Sequence, residues 1–375
     1  MKTRNPYRSR LCIVLLVFFA AAFLLPAVQT GDTRLYILAA AVPCGIVLFL
    51  LLPAGFFSLD RPSVAAALIL CALGILAPAS VLPDESVSQA IRTVVALFFL
   101  TSGVVLVRSC RVSFASALLT AALSLILLSF PLLLSVVSFS LTEVGMALLM
   151  FSVAVFLALR QRLSALISAL SGLFLMLYQH DLCASAIWCI SCVLLFWTAS
   201  GSGLWSCISL VSSAALVAGF MFLVRPFTVA AQEDMLLRIA GMSFFMPESA
   251  PKAESLSADS LFFMLGEQYG LVFLLSAVLL LCILILCGAS VALHTRKAFH
   301  ASLALGTILV LGLRMLYFLL SLTGMIPVPI GSFPLLTDSL PQLCGEFFLI
   351  GLLSGVSARN GADLDEDSRL AMLAR

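Results

Sequence analysis

Long apolar runs alternate with short polar interruptions along nearly the whole chain. The runs lie near 11–29, 35–57, 63–82, 90–107 and 113–139, then 142–159, 163–178, 182–199 and 204–224. A polar interval at 225–268 follows, and three more runs cover 269–293, 299–323 and 339–357. Each is close to the roughly 20 residues that an α-helix needs to cross ~30 Å of hydrocarbon. The pattern predicts an all-α, polytopic transmembrane helix bundle of about twelve spans. It also divides the chain into a five-helix N-terminal region at 1–139, a membrane core at 140–357 with one long outer loop at 225–268, and a tail at 358–375. Loops longer than about 15 residues are commonly functional or disordered, so the interval at 225–268 is where the pattern points first. Its two ends, 234–240 and 259–265, read as short interfacial helices.

Composition agrees. The 375 residues are 62% hydrophobic and only 10% charged, and the mean hydropathy is +1.19. A soluble globular chain is nearer half apolar and a quarter charged. The formal charge of +2 points to no nucleic-acid partner; the positions of the cations matter more. Lys2, Arg4, Arg8 and Arg10 precede the first run, which is longer than a signal-peptide core and reads as an uncleaved helix. Arg61, Arg108, Arg111, Arg160, Arg162, Arg296 and Lys297 all fall in loops on that same side. This bias predicts that both termini are cytoplasmic. The tail, with Asp363, Asp365, Glu366 and Asp367, reads as a solvated, mobile segment.

The eleven cysteines sit mostly inside apolar runs, where the thiol acts as a small apolar filler. Cys189 and Cys192 form a CxxC in mid-span with no second pair, and His180, His294 and His300 are scattered, so no metal site is expected. Ionisable residues in or beside spans are functional candidates by default. They are Arg92, Glu143, Asp181, Asp259, Glu267, Arg314 and Glu346. The four acids before Arg314 stand at outer helix ends, where capping and the helix dipole also favour carboxylates. Arg314 lies deep in its run and calls for a buried carboxylate or a wet cavity; Glu346, in the next run, is the candidate partner. Arg92, near the start of its run, is expected to snorkel outward.

Asp259 to Gly270 closes the long interval, with a carboxylate at its head and Gly266-Glu267 seven residues on. This stretch resembles the Asp-Phe-Ile-Phe-x-x-x-Gly-Glu-Glu-x-Gly motif of the SEDS family of bacterial shape, elongation, division and sporulation proteins (FtsW, RodA, SpoVE). Gln179-His180-Asp181-Leu182-Cys183-Ala184-Ser185 is similar to that family's Gln-Pro-Asp-Leu-Gly-Thr-Ala. Leu141-Thr142-Glu143 is similar to its Pro-Ser-Glu, and Gly324-Met325-Ile326-Pro327 with Pro334 to its Gly-Leu-Leu-Pro…Leu-Pro. Order, spacing and side of the membrane agree over about 140–359, so the last seven helices resemble the family's last seven. The departures are specific. Met146 stands where the family has a Lys, Thr337 to Gln342 replaces a Ser-Tyr-Gly-Gly-Ser-Ser run, and five spans precede Thr142 where the family typically has three.

The resemblance implies a peptidoglycan glycosyltransferase that polymerises lipid II on the outer face of the bacterial cytoplasmic membrane. It also implies a class B penicillin-binding transpeptidase beside it, in division, elongation or sporulation. Asp259 would then be the catalytic carboxylate, burial beside Phe262 and Phe263 making it a better base. Glu143, Asp181, Glu267, Arg238 and Arg314 are the expected substrate-binding residues. Arg225, Lys252, Arg238 and Arg314 are the cations available to the pyrophosphate. No cofactor is required, although a divalent cation would serve the same group. A second reading is an inactive relative that scaffolds a cell-wall complex. A flippase or transporter is the third, and the chain shows no internal repeat to support it.

Overall fold

The computed structural model describes residues 6–51, 60–133, 142–201, 203–223, 243–244, 260–323 and 332–373. Among them are thirteen helices and no strand. In chain order they are α1 (Pro6–Thr30), α2 (Thr33–Leu51), α3 (Arg61–Leu76), α4 (Pro83–Ser109) and α5 (Phe114–Leu133). Next come α6 (Thr142–Ala158), α7 (Arg162–Tyr178), α8 (Leu182–Ser200) and α9 (Gly203–Leu223). The last four are α10 (Ser260–Tyr269), α11 (Leu271–His294), α12 (Ala298–Leu322) and α13 (Leu340–Leu373). Every expected span coincides with one helix, and the extra one is the short α10. The expectation of about twelve crossings is not met to the letter. Eight helices among the described residues are long and apolar enough to cross a membrane, and four apolar ones are shorter. At ~1.5 Å per residue the 16 residues of α3 reach only about 24 Å. The last helix also differs from expectation: it continues to Leu373, through the segment read as a mobile tail.

The chain forms two compact units. The first comprises Met1–Val95, Leu236–Leu284 and Leu335–Asp338. In it, α1 buries Phe19, Phe23 and Ala27, a stripe spaced by four residues, while Ile13, Val17, Leu24 and Val28 stay exposed. One face packs on protein and the other is left for hydrocarbon. Helix α3 is buried almost throughout, and α10 lies against it, the Tyr269 hydroxyl donating to the Leu76 carbonyl at 3.3 Å. The α10 helix ends where Gly270 takes φ +89°. That left-handed turn suits glycine and lets α11 start afresh at Leu271.

The second unit comprises Ala96–Met235, Ile285–Pro334 and Ser339–Arg375. Its centre is α6, buried from Val144 to Leu157 and contacting α5, α7, α8, α12 and α13. A helix apolar on all sides belongs inside a bundle. Small residues and hydroxyls hold the neighbours close, as expected where lipid supplies no hydrophobic drive between helices. Ser124 donates to the Gly145 carbonyl at 2.7 Å, and Ser152 to that of Ala117 at 3.0 Å. The Trp188 indole donates to the Ala169 carbonyl at 2.9 Å. Gly103 and Gly351 let α4 and α13 touch backbone to backbone: a Cβ on Gly351 would stand 2.2 Å from the Leu100 carbonyl oxygen.

Candidate functional site

The second unit gathers a buried ionic cluster under the first turns of α6 and α13. Glu143, the second residue of α6, has no cation one turn on: Met146 and Ala147 are apolar and fully buried. Its cation comes from α12 instead, where Arg314 Nη2 pairs with Glu143 Oε2. The other terminal nitrogen, Nη1, donates to Glu346 Oε1 on α13 at 3.1 Å. Glu346 is fully buried, the Arg314 side chain is 6% exposed, and Glu143 keeps 16%. Gln342, one turn before Glu346, donates to the same Oε1 at 3.1 Å. The Ser332 hydroxyl donates to Gln342 Oε1 at 2.5 Å. Arg314 Nε is buried without a hydrogen-bond partner among the described residues.

Gly345 makes this approach feasible. A Cβ there would lie 2.3 Å from the Cβ of Glu143 and 2.9 Å from its carbonyl carbon, so the start of α6 rests directly on α13. Gly345→Ala is expected to lever the two helices apart, cost about 1–3 kcal/mol as overpacking does, and loosen the Glu143–Arg314 pair. Denaturant unfolding of the purified protein measures this. A variant as stable as the wild type would show that the contact relaxes without strain.

Around the cluster, Asp181 caps α8, its Oδ1 accepting from the Ala184 amide at 2.9 Å. Gln179 joins three elements, accepting from the Thr142 hydroxyl at 2.9 Å and donating to the Leu128 carbonyl. Cys183 feels the charges of Arg314, Asp181 and Glu143 and hydrogen-bonds the Tyr317 side chain, which brings Asp181 into the same neighbourhood. Of the expected site residues, Glu143 and Arg314 are thus in contact and Asp181 is beside them. Glu267 lies on α10 of the first unit, partly exposed. Asp259 and Arg238, with Arg225 and Lys252, lie outside the described residues.

The Arg314–Glu346 pair was legible as two charges in consecutive deep helices. The Glu143–Arg314 pair was not, because nothing local joins residues so far apart in sequence. Ser332 carried no signal, and Gln342 stood out only as the end of the run that departs from the family's motif.

The first unit has its own polar patch. Arg92 donates to Glu85 at 2.6 Å and to Gln89 at 3.3 Å, so it reaches back toward the start of its helix, the direction expected of it, and pairs there. The i, i+4, i+7 spacing of 85, 89 and 92 was the available signal. Gln89 also donates to the Thr337 carbonyl at 2.7 Å, and Leu335 accepts from Cys71 Sγ at 3.7 Å with φ +66°. Beside this anchor, burial pushes the Asp338 carboxyl above its ordinary value of 3.8; its own backbone amide and Arg92 pull it back, while Glu85 raises it.

A carboxyl with a raised folded value stabilises the fold most when protonated, and that contribution is lost as pH rises through the raised value. Asp338→Asn is therefore expected to flatten the acid side of the stability profile and to raise the melting temperature modestly at pH 7. Thermal unfolding between pH 4 and 7 tests it, and an unchanged slope would assign the titration to another group.

No protein-family profile matches the sequence, and no curated protein matches it. Solved structures do. One, from a study of the structural coordination of polymerization and crosslinking by a peptidoglycan synthase complex, superposes with TM-score 0.61 at 18% identity, covering 81% of this chain and 98% of that one. Another is the crystal structure of an aspartate-to-alanine variant of the Thermus thermophilus rod shape determining protein RodA, with TM-score 0.58 at 17% identity and the same two coverages. The chain is a multi-pass membrane protein with the RodA fold, the architecture that its motifs' resemblance to the SEDS family implied.

Proposed function

We propose that the protein is a divergent SEDS peptidoglycan glycosyltransferase that polymerises lipid II on the outer face of the bacterial cytoplasmic membrane, with both termini inside. The observation that carries the reading is the RodA fold over 81% of the chain, in a sequence whose acid-led motif runs into α10. Fold alone does not assign an activity, so the motif residues bear the chemistry. Asp259 takes the proton from the acceptor sugar hydroxyl as that oxygen attacks the anomeric carbon of the donor. The bond to the pyrophosphate breaks, and the polyprenyl pyrophosphate leaves. Phe262 and Phe263, both buried on α10, give the motif an apolar flank. Arg238 or a divalent cation meets the pyrophosphate charge, and Glu143, Asp181 and Glu267 meet the sugars. Apolar helix faces hold the lipid tail. That neighbour belongs to a complex that coordinates polymerization with crosslinking, which supports a class B penicillin-binding transpeptidase as partner.

The test is polymerisation of lipid II by the purified full-length protein, alone and with candidate class B transpeptidases. Glycan strands in either arm support the enzyme. Their absence in all arms, from well-folded protein, overturns it.

One observation favours a second reading, a non-catalytic scaffold of a cell-wall complex. Where the family's motif has a Lys, Met146 is fully buried in the packed α6, so that cation has not merely moved aside on its own helix. Partner capture without polymerisation would select this reading.

A further inference from the structure

We propose that Glu346, Gln342 and Arg314 form a positioning relay that sets the carboxylate of Glu143 for the reaction, and that Arg314 is not a pyrophosphate ligand. The inference rests on the glycosyltransferase reading and deepens it.

The contacts run in one unbroken line inside the second unit. Ser332, in the segment before α13, bonds Gln342; Gln342 bonds Glu346; Glu346 bonds Arg314; Arg314 pairs with Glu143. Exposure rises along its last two links, from a fully buried Glu346 through Arg314 at 6% to Glu143 at 16%. Of the two carboxylates on Arg314, Glu143 is therefore the one that a substrate reaches, and Glu346 stands behind it. The guanidinium is split between two carboxylates on two helices, one through each terminal nitrogen. That fixes its plane and its distance from α6. An end-on clamp on a phosphate would use the same two nitrogens, and here each already holds a carboxylate.

Charge disfavours phosphate as well. Two carboxylic groups already share this one guanidinium, and a phosphate would add a further anionic group to the same buried cation. Arg314 Nε is buried and has no hydrogen-bond partner among the described residues. It calls for an uncharged acceptor, a water or a sugar hydroxyl or amide oxygen. The pyrophosphate must find its cations elsewhere, among the basic residues of the long outer loop or as a divalent ion.

The contact of Glu143 with the sugar is here one that tightens in the transition state, so loss of a residue that positions it lowers turnover more than substrate binding. The experiment measures kcat and KM for lipid II per folded protein, in Glu346→Ala, Glu346→Gln and Gln342→Ala. Misplacing a reacting group by about 1 Å costs up to ~10²-fold. Glu346→Ala is thus expected to lower kcat by about 10- to 100-fold with KM within about twofold. Glu346→Gln, which keeps an oxygen for Arg314, should stay within about threefold of wild type, and Gln342→Ala should fall between them.

Wild-type kcat in Glu346→Ala overturns the relay. So does a loss carried by KM alone, which would mean direct substrate contact, or one that vanishes when normalised to folded protein. If the wild type makes no polymer, the functional reading fails by itself. The relay is then read from unfolding midpoints of Glu143→Gln, Glu346→Gln and their double variant. Non-additive shifts support it, and additive shifts overturn it.

Discussion

Asp259→Ala is expected to lower lipid II polymerisation by about 10²- to 10⁴-fold, the range general-base assistance typically contributes. The sequence places this carboxylate immediately before α10 and directly ahead of Phe262 and Phe263, which are buried. An ordinary aspartate near pKa ~3.9 is a weak base at neutral pH, and the proposed role calls for an apolar setting that would raise it. Alanine removes the proton acceptor and leaves the apolar wall, so binding of the polyprenyl tail should survive and the defect should appear in kcat. The assay compares glycan strand formation by the two proteins at equal folded concentration. Equal rates would leave the fold assignment intact and hand the base to another carboxylate, with Glu267 on α10 the next candidate. A cell-wall phenotype unaffected by Asp259→Ala, with partner binding intact, would instead favour the scaffold.

Arg314→Met is expected to destabilise the protein by about 3–5 kcal/mol, as removal of one member of a buried ion pair does. Two carboxylates depend on this one cation, and Glu346 is wholly inaccessible. Methionine fills much the same volume, so the loss is electrostatic rather than a cavity. The control is the triple variant carrying Glu143→Gln and Glu346→Gln as well. With the charges gone together, most of the lost stability should return, since a buried ion network is often replaceable by neutral groups at little cost. Denaturant unfolding in one detergent at one pH compares all three proteins. A cost below about 1 kcal/mol for Arg314→Met would mean that water enters and screens the cluster.

The helices and their order were readable from apolar run length, because hydrocarbon imposes the same demand on every span. The run at 142–159 and α6 coincide, as do 182–199 and α8, and from residue 260 on the short helix expected at 259–265 coincides with α10. The lengthening of α13 to Leu373 was hidden, since a polar, acidic stretch carries no apolar period whether it is helical or not. The pairing of Arg92 with Glu85 was present as helical spacing, and it turns the side chain toward the helix start, as its position had suggested.

Sequence by itself determined the class of molecule, its span pattern and the ionisable residues whose place in the membrane demands a reason. Glu143, Arg314 and Glu346 were all singled out in that way. Only the tertiary structure decided how they combine. The contact between Glu143 and Arg314 spans helices remote in sequence, and it depends on Gly345, whose missing side chain lets α6 settle against α13. Local pattern reports which residues are costly to bury; which of them relieve one another is set by helix packing, through close approaches that no run of neighbouring residues encodes.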